Sequence, residues 1–376
     1  MNTYRIRLTP KSIIEKFPSS ETIFGAICWG IHHLYNDIDL QEKLAKFDEW
    51  DKRFIISSSF PLLKSRDKDI CCYPKPILAE PDVKALENIA KDNITLNITK
   101  SPVKIEDEDL KFQYSKRVEF SRYKEFHNIE YLSESLFQRL VNCGSYEDNI
   151  NIYKDYVNSR LLAISDKILL TKDEYNNINN NQLIISRVTA RNKIDRISFA
   201  TVPGGEIYYQ QEMYLNPNVC ELYFLLMTED IEFFKPIFRW LEDTGIGGNR
   251  TVGRGFYKIT IQGEVNLPND KNAKTFLALA KFLPKENEIE WQSDNNFYDL
   301  LVYQPRLDTM FFKGGQFIKD SVTYIKEGSV LEAKERKSYY GMLRPSIEIQ
   351  KQKIYQYGLT IPIFIKLGDN ANETKN

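Results

Sequence analysis

The sequence predicts an α+β fold of tandem ferredoxin-like βαββαβ units, the first interrupted by a large, mostly helical insertion. Three observations carry this expectation. Outside an interrupting segment, the apolar pattern of residues 1–265 reads strand, helix, strand, strand, helix, strand. At 376 residues the chain is long for one core, which leaves residues 266–376 for a second unit. From about residue 41 to 181, charged helical stretches alternate with turns such as YPKPILAEP and polar runs such as NNINNNQ. That segment reads as the insertion.

In chain order, Arg5 to Leu8 alternate polar and apolar, as in a half-buried strand. ETIFGAICWGIHHLY then repeats apolar residues at helical spacing, with Ser19 or Ser20 as N-cap and Glu21 in the first turn. Past the insertion, LIISRVTARNKIDRISF reads as an extended hairpin turning near Asn192 and Lys193. EIYYQQEMYL and VCELYFLLM read as strands joined at Asn216-Pro217-Asn218. IEFFKPIFRWLEDT has helical spacing, with a start delayed by Pro236 and a left-handed C-cap at Gly245. GFYKITIQ alternates as a strand. The second unit opens on KNAKTFLALAKFL, read as a helix, and includes strands in NFYDLLVY and YQYGLTIPIFIKL; the tail GDNANETKN is expected to fray.

Composition narrows the function classes. No run approaches the roughly 18 apolar residues of a membrane span, and MNTYRIRLTP lacks a signal peptide's apolar core. The five cysteines form no CxxC pair or disulfide framework, so a cytoplasmic protein with reduced thiols is expected. A net charge of -1 argues against coating nucleic acid over the whole surface, but leaves room for a local basic groove.

GIGGNRTVGRGFYKI, residues 245–259, holds five of the chain's 17 glycines in its first eleven residues, interleaved with Asn249, Arg250 and Arg254. Such a cluster implies left-handed backbone or close approach of a ligand. It is no P-loop, because that needs strand–loop–helix order and a GK[ST] ending. The order here is helix, loop, strand, and the helix C-terminus carries partial negative charge. Anion binding would come from loop amides in a concave nest, with the arginines adding charge, an arrangement suited to a phosphodiester backbone.

A second cationic set is Arg187, Arg191, Lys193 and Arg196, opposed only by Asp195; a solvated hairpin explains it equally well. KFQYSKRVEFSRYKEFH, residues 111–127, mixes cations with aromatics as base-stacking surfaces do. An amphipathic helix with a charged face accounts for it better, and the same applies to KERKSYYGMLR. Catalytic candidates are few. His32 and His33 are adjacent at the end of the first helix, and no metal-ligand spacing, HExxH or GxSxG occurs, so no catalytic residue, metal or cofactor is expected.

The helix running into a glycine- and arginine-rich loop resembles the RAMP superfamily of CRISPR RNA-binding proteins, in the form found in the fourth subunit of type III-A Csm complexes. FPSSETIFGAICWGI, RNKIDRISF, EIYYQQEMYL, YPKP and YQYGLTIPIFIKL extend the resemblance to both ends and the middle of the chain. It implies a non-catalytic subunit of a ribonucleoprotein in antiviral defence, capping the repeat-derived 5′ tag of crRNA. It also implies partners: a large polymerase-like subunit, the backbone subunits, and target RNA near the tag–spacer junction. Carried onto this sequence, Gly245, Gly247, Gly248, Gly253 and Gly255 would let the loop lie against RNA, and Asn249, Arg250, Thr251 and Arg254 would contact it. The helix start, Ser19, Ser20, Glu21 and Thr22, would offer amides to another phosphate. Arg187, Arg191, Lys193 and Arg196 would reach the guide from the hairpin.

Three alternatives remain open at the level of sequence. One is a repeat-cleaving endoribonuclease of the same superfamily, for which His32 or His33 would matter. Another is a purely structural scaffold, and the third is the related capping subunit of a type III-B complex.

Overall fold

The computed structural model describes residues 1–367 except 15, 37, 100–103, 144–145, 179–181, 193–194, 196, 199, 202–206, 249, 251–252, 308–317 and 350–351. The first unit begins with β1 (Asn2–Pro10), α1 (Ser20–Leu34), α2 (Leu40–Ala45), β2 (Ile55–Ile56) and β3 (Phe60–Leu63). It ends with β10 (Cys220–Thr228), α9 (Phe234–Thr244) and β11 (Tyr257–Glu264). These strands lie in the order β11-β1-β10-β3, with β2 also on β10, and every one of these pairings is antiparallel. That is the ferredoxin-like arrangement, with the last strand beside the first and the third between the first and second.

The alternation of β1 has the expected outcome. Ile6 and Leu8 are fully buried, while Arg5 stacks over Tyr223 and Arg7 pairs with Glu221 on the neighbouring strand. On the core side, Ile23, Phe24, Ile27 and Ile31 of α1 meet Phe234, Ile237 and Leu241 of α9. Gly30 sets how closely the two helices approach, since a Cβ there would fall 2.6 Å from Ile237 Cγ2. Pro236 is tolerated as the third residue of α9, where its missing N–H has no intrahelical partner to lose.

Two expectations need correction. The second strand of the βαββαβ unit is β3, which follows α2 and β2 within the segment read as the insertion, and not a strand after it. The hairpin expected inside LIISRVTARNKIDRISF is instead formed by β8 (Ile184–Arg191) and β9 (Tyr208–Leu215) of EIYYQQEMYL, a separate two-stranded sheet. All four residues of β3 are buried, so it shows no alternation, and Pro61 disguises it as a turn. Pro61 is accommodated because β4 pairs only with Leu62 and Leu63.

The interrupting segment carries α3 (Val83–Asp92), α4 (Ile94–Ile98), α5 (Glu108–His127), α6 (Glu134–Cys143), α7 (Tyr146–Val157) and α8 (Lys172–Asn176). It also supplies β4 (Ile70–Pro74), β5 (Tyr131–Ser133), β6 (Leu161–Ile164) and β7 (Ile168–Thr171), which extend the same sheet to nine strands.

The C-terminal part comprises β12 (Thr275–Ala278), β13 (Leu300–Tyr303), β14 (Val322–Ile325), β15 (Val330–Glu332), β16 (Tyr340–Ile349), β17 (Gln352–Thr360) and β18 (Pro362–Phe364). The helix expected in KNAKTFLALAKFL is instead β12, central in the three-stranded sheet β15-β12-β18. Its residues are buried throughout, and a short continuous apolar run fits a buried strand as well as a helix. The predicted strands in NFYDLLVY and YQYGLTIPIFIKL are β13, β17 and β18. The two parts share a core, in which Tyr357 of β17 packs against Phe24 at 4.8 Å and donates its hydroxyl to Ile56 O. The GDNANETKN tail, residues 368–376, lies outside the described residues.

Candidate RNA-binding surface

α9 ends at Gly245, whose φ of 78° turns the chain away while its N–H still bonds Leu241 O at 2.8 Å. The loop then closes on itself: Ile246 N–H donates to Gly255 O at 2.8 Å, and buried Ile246 fills the neck. Gly255 has φ 72°, and a Cβ there would sit 2.3 Å from Ile246 O, so only glycine fits. Gly245 and Gly255, expected to let the loop lie against RNA, are thus buried neck residues. The upper loop differs. Gly248 and Gly253 are exposed, with no described residue within 4 Å of a Cβ at either position, and Gly247 lies over Thr22 of α1, whose Cγ2 would be 3.8 Å from its Cβ. Asn249 and Thr251 lie outside the described residues.

The two arginines divide in the same way. Arg250 is half-buried at the C-terminus of α9, its Nη1 3.5 Å from Thr244 O, where the helix dipole favours a cation. Arg254 is only 6% exposed and forms an ion pair with Glu212 on β9, itself 4% exposed. Glu212 also accepts from Arg191 Nη2 at 2.5 Å and Thr189 Oγ1 at 3.0 Å on the facing strand. Arg254, expected to contact RNA, therefore anchors the loop to the hairpin. Glu212 was not singled out in the sequence because its partners lie 21 and 42 residues away; the available signal was one acid in a strand facing an arginine-rich one.

The hairpin carries exposed Arg187 directly across from Glu212 and half-buried Arg191. Val188, Ile207, Tyr208 and Tyr209 are exposed on it as well. Near the tip, Asp195 Oδ1 accepts from the N–H groups of Ile197 (2.7 Å) and Ser198 (2.9 Å). The backbone bonds from Ser198 and then Ile197 hold its carboxyl below the usual range. Lys193 and Arg196 lie outside the described residues.

At the start of α1, Ser19 is the N-cap in extended conformation, its hydroxyl 3.2 Å from that of Thr22; both residues are half-buried, with Thr22 beside Gly247. Ser20 and Glu21 are buried instead. Ser20 N–H faces Ser58 Oγ at 3.4 Å, and the Glu21 carboxylate pairs with Lys319 (3.1 Å) and Lys281 (3.5 Å) from the C-terminal part. Glu21 thus holds α1 to that part, and Ser20 holds it to the segment before β3.

His32 and His33 stand at the other end of α1, about 15 Å from Thr22 at the helical rise. They are exposed and pack with Trp29 and Trp240, and burial followed by the charge of His32 lowers the pKa of His33. Among the described residues no group of three or more His, Cys, Asp or Glu is arranged to hold a metal ion. Nor is any helix there long and apolar enough to cross a membrane.

A sequence model of the RAMP superfamily matches residues 19–258, from the N-cap of α1 through the glycine loop into β11. The chain belongs to the RAMP superfamily. This RAMP protein is similar along its length to Csm4 of Thermococcus onnurineus, at 24% identity over 96% of each chain. Csm4 of Methanocaldococcus jannaschii is 29% identical over 40% of this chain and 43% of its own. Among solved structures, a Csm3–Csm4 subcomplex of the type III-A CRISPR-Cas interference complex aligns with 96% of this chain and 99% of its own, at a TM-score of 0.56 and 18% identity. That likeness concerns the fold.

Proposed function

We propose that this RAMP protein is the subunit of a type III-A CRISPR effector that binds and caps the repeat-derived 5′ tag of crRNA. In this reading it acts in the cytoplasm and links the large polymerase-like subunit to the backbone subunits. The observation that carries the reading is the loop with open glycines at Gly248 and Gly253, laid over the start of α1 and tied by Arg254 and Glu212 to a cationic hairpin. The end-to-end similarity to Csm4 supports the same assignment.

The RNA backbone crosses the open side of the loop. Gly247, Gly248 and Gly253 admit it closely, and Arg250, with Asn249 and Thr251, contacts phosphates or tag bases. Ser19 and Thr22 meet the next phosphate at the helix start. Arg187 and Arg191, with Lys193 and Arg196, follow the strand toward the tag–spacer junction, where target RNA pairs. The role is binding without catalysis; the distance of His32 and His33 from this path supports that.

Binding of tag RNA by the Arg187→Ala, Arg250→Ala protein over a salt titration tests the proposal. Each lost phosphate contact removes about 0.7 from the slope of log K against log salt for a single strand. An unchanged affinity and slope would sink the phosphate roles. Unaltered RNA cleavage by the His32→Ala, His33→Ala complex is expected; loss of cleavage would revive the endoribonuclease reading.

A further inference from the structure

A cavity of about 330 Å³ opens at the foot of the β8–β9 hairpin, walled by β3, β5, β7 and the segment leading from β1 into α1. Its lining is mostly apolar and includes the rings of Phe17, Tyr131 and Tyr214, with Lys16, Lys167 and Glu130 as its charged members. The Phe17 and Tyr131 rings stand 6.0 Å apart, tilted by 40°. Lys167 is neutralised by Glu130, whereas exposed Lys16 makes no ion pair among the described residues.

Its position connects it with the loop. Ile14 lines the cavity, and Ile13 O faces the N–H of Gly255 at the loop neck, 3.5 Å away. Ser19, the N-cap of α1, follows Phe17 by two residues, and Ile184 and Leu215 at the base of the hairpin form the opposite wall. A strand running from the glycine loop across the start of α1 to the hairpin passes the mouth. The volume lies at the low end of ligand pockets, enough for one nucleoside and too little for a longer segment.

We propose that this cavity receives a single unstacked base of the bound RNA. Phe17 and Tyr131 supply the aromatic surface against which the base packs, and Lys16 at the side meets an adjoining phosphate. Aromatic walls with one unmatched cation suit a nucleotide, whose base is apolar on its faces and whose backbone is anionic. The inference rests on the tag-binding reading and adds to it a defined seat for one base.

The test uses the full-length protein and a set of tag RNAs, each abasic at one position, with affinity read by fluorescence anisotropy. In the wild type, one abasic position is expected to weaken binding roughly tenfold, the effect of losing one stacked base. Phe17→Ala should weaken intact RNA to a similar degree, yet add almost nothing at that one abasic position. Lys16→Ala, an exposed substitution, should lower the salt slope by about 0.7 with an unchanged melting temperature. If Phe17→Ala costs the same on every abasic RNA and Lys16→Ala leaves the slope intact, the cavity is no base seat although the tag reading stands. If the wild type retains no tag RNA, both fall together.

Discussion

Two buried carboxylates, each facing two cations, hold this molecule together at different places. Glu21, 5% exposed, sits between Lys281 and Lys319 and fastens the start of α1 to the C-terminal part. Glu212, 4% exposed, sits between Arg191 and Arg254 and fastens the glycine loop to the hairpin. The first node uses lysines, and burial pulls the Lys281 ammonium below the usual lysine range against the attraction of Glu21. The second uses arginines, which keep their charge at any working pH and present several donors in a fixed plane. Where the protein only needs internal attachment, a titratable cation suffices. Beside the proposed RNA path the cations stay charged, and Arg191 remains partly open to solvent at 27% of its side chain.

The largest expected effect breaks the lysine node. Glu21→Ala leaves Lys281 buried without its acid and should destabilise the fold by about 3–5 kcal/mol, read as a lower urea midpoint. Glu212→Gln should cost less, about 2–3 kcal/mol, because Arg191 can turn to water; unlike the first, it should also weaken RNA binding by loosening the loop. A cycle combining Glu212→Gln with Arg254→Met measures the coupling; strict additivity would mean that the pair does not fasten the loop. Gly255→Ala places a Cβ 2.3 Å from Ile246 O at positive φ and should cost about 2 kcal/mol, with the damage confined to the loop neck in hydrogen exchange.

The smallest effect separates the nodes by pH. Since Lys281 gives up its proton in the native state before it does so unfolded, the unfolded chain binds more protons between that lowered value and the ordinary 10.5. The Lys281 contribution to stability should therefore rise with pH through that window, by less than about 1.4 kcal/mol per pH unit. Lys281→Met should remove this rise, and Arg254→Met should leave it in place.

Much of the frame was legible where one face meets the core and the other meets solvent. β1 and β11 alternate, and α1 and α9 repeat at helical spacing, because each is covered on one side only. β3 and β12 are buried throughout, so their sequences carry no period, and one was passed over while the other was read as a helix. The glycine loop was legible as a place of unusual backbone, but its division into buried neck and open rim was not. Gly255 belongs to the neck because Ile246 folds back on it, and Glu21 is interior because residues 260 and 298 positions later cover it. Such assignments depend on long-range packing that local pattern does not encode.

Gly248 gives the most direct measurement of the central claim. Among the described residues no atom lies within 4 Å of a Cβ there, and its φ is one that any residue adopts, so Gly248→Leu should change stability by no more than about 0.5 kcal/mol. A leucine on the open rim stands where the RNA backbone is proposed to lie. The account predicts at least a roughly tenfold loss in affinity for tag RNA, about 1.4 kcal/mol, with an unchanged melting temperature. Full affinity in a folded Gly248→Leu protein would contradict it.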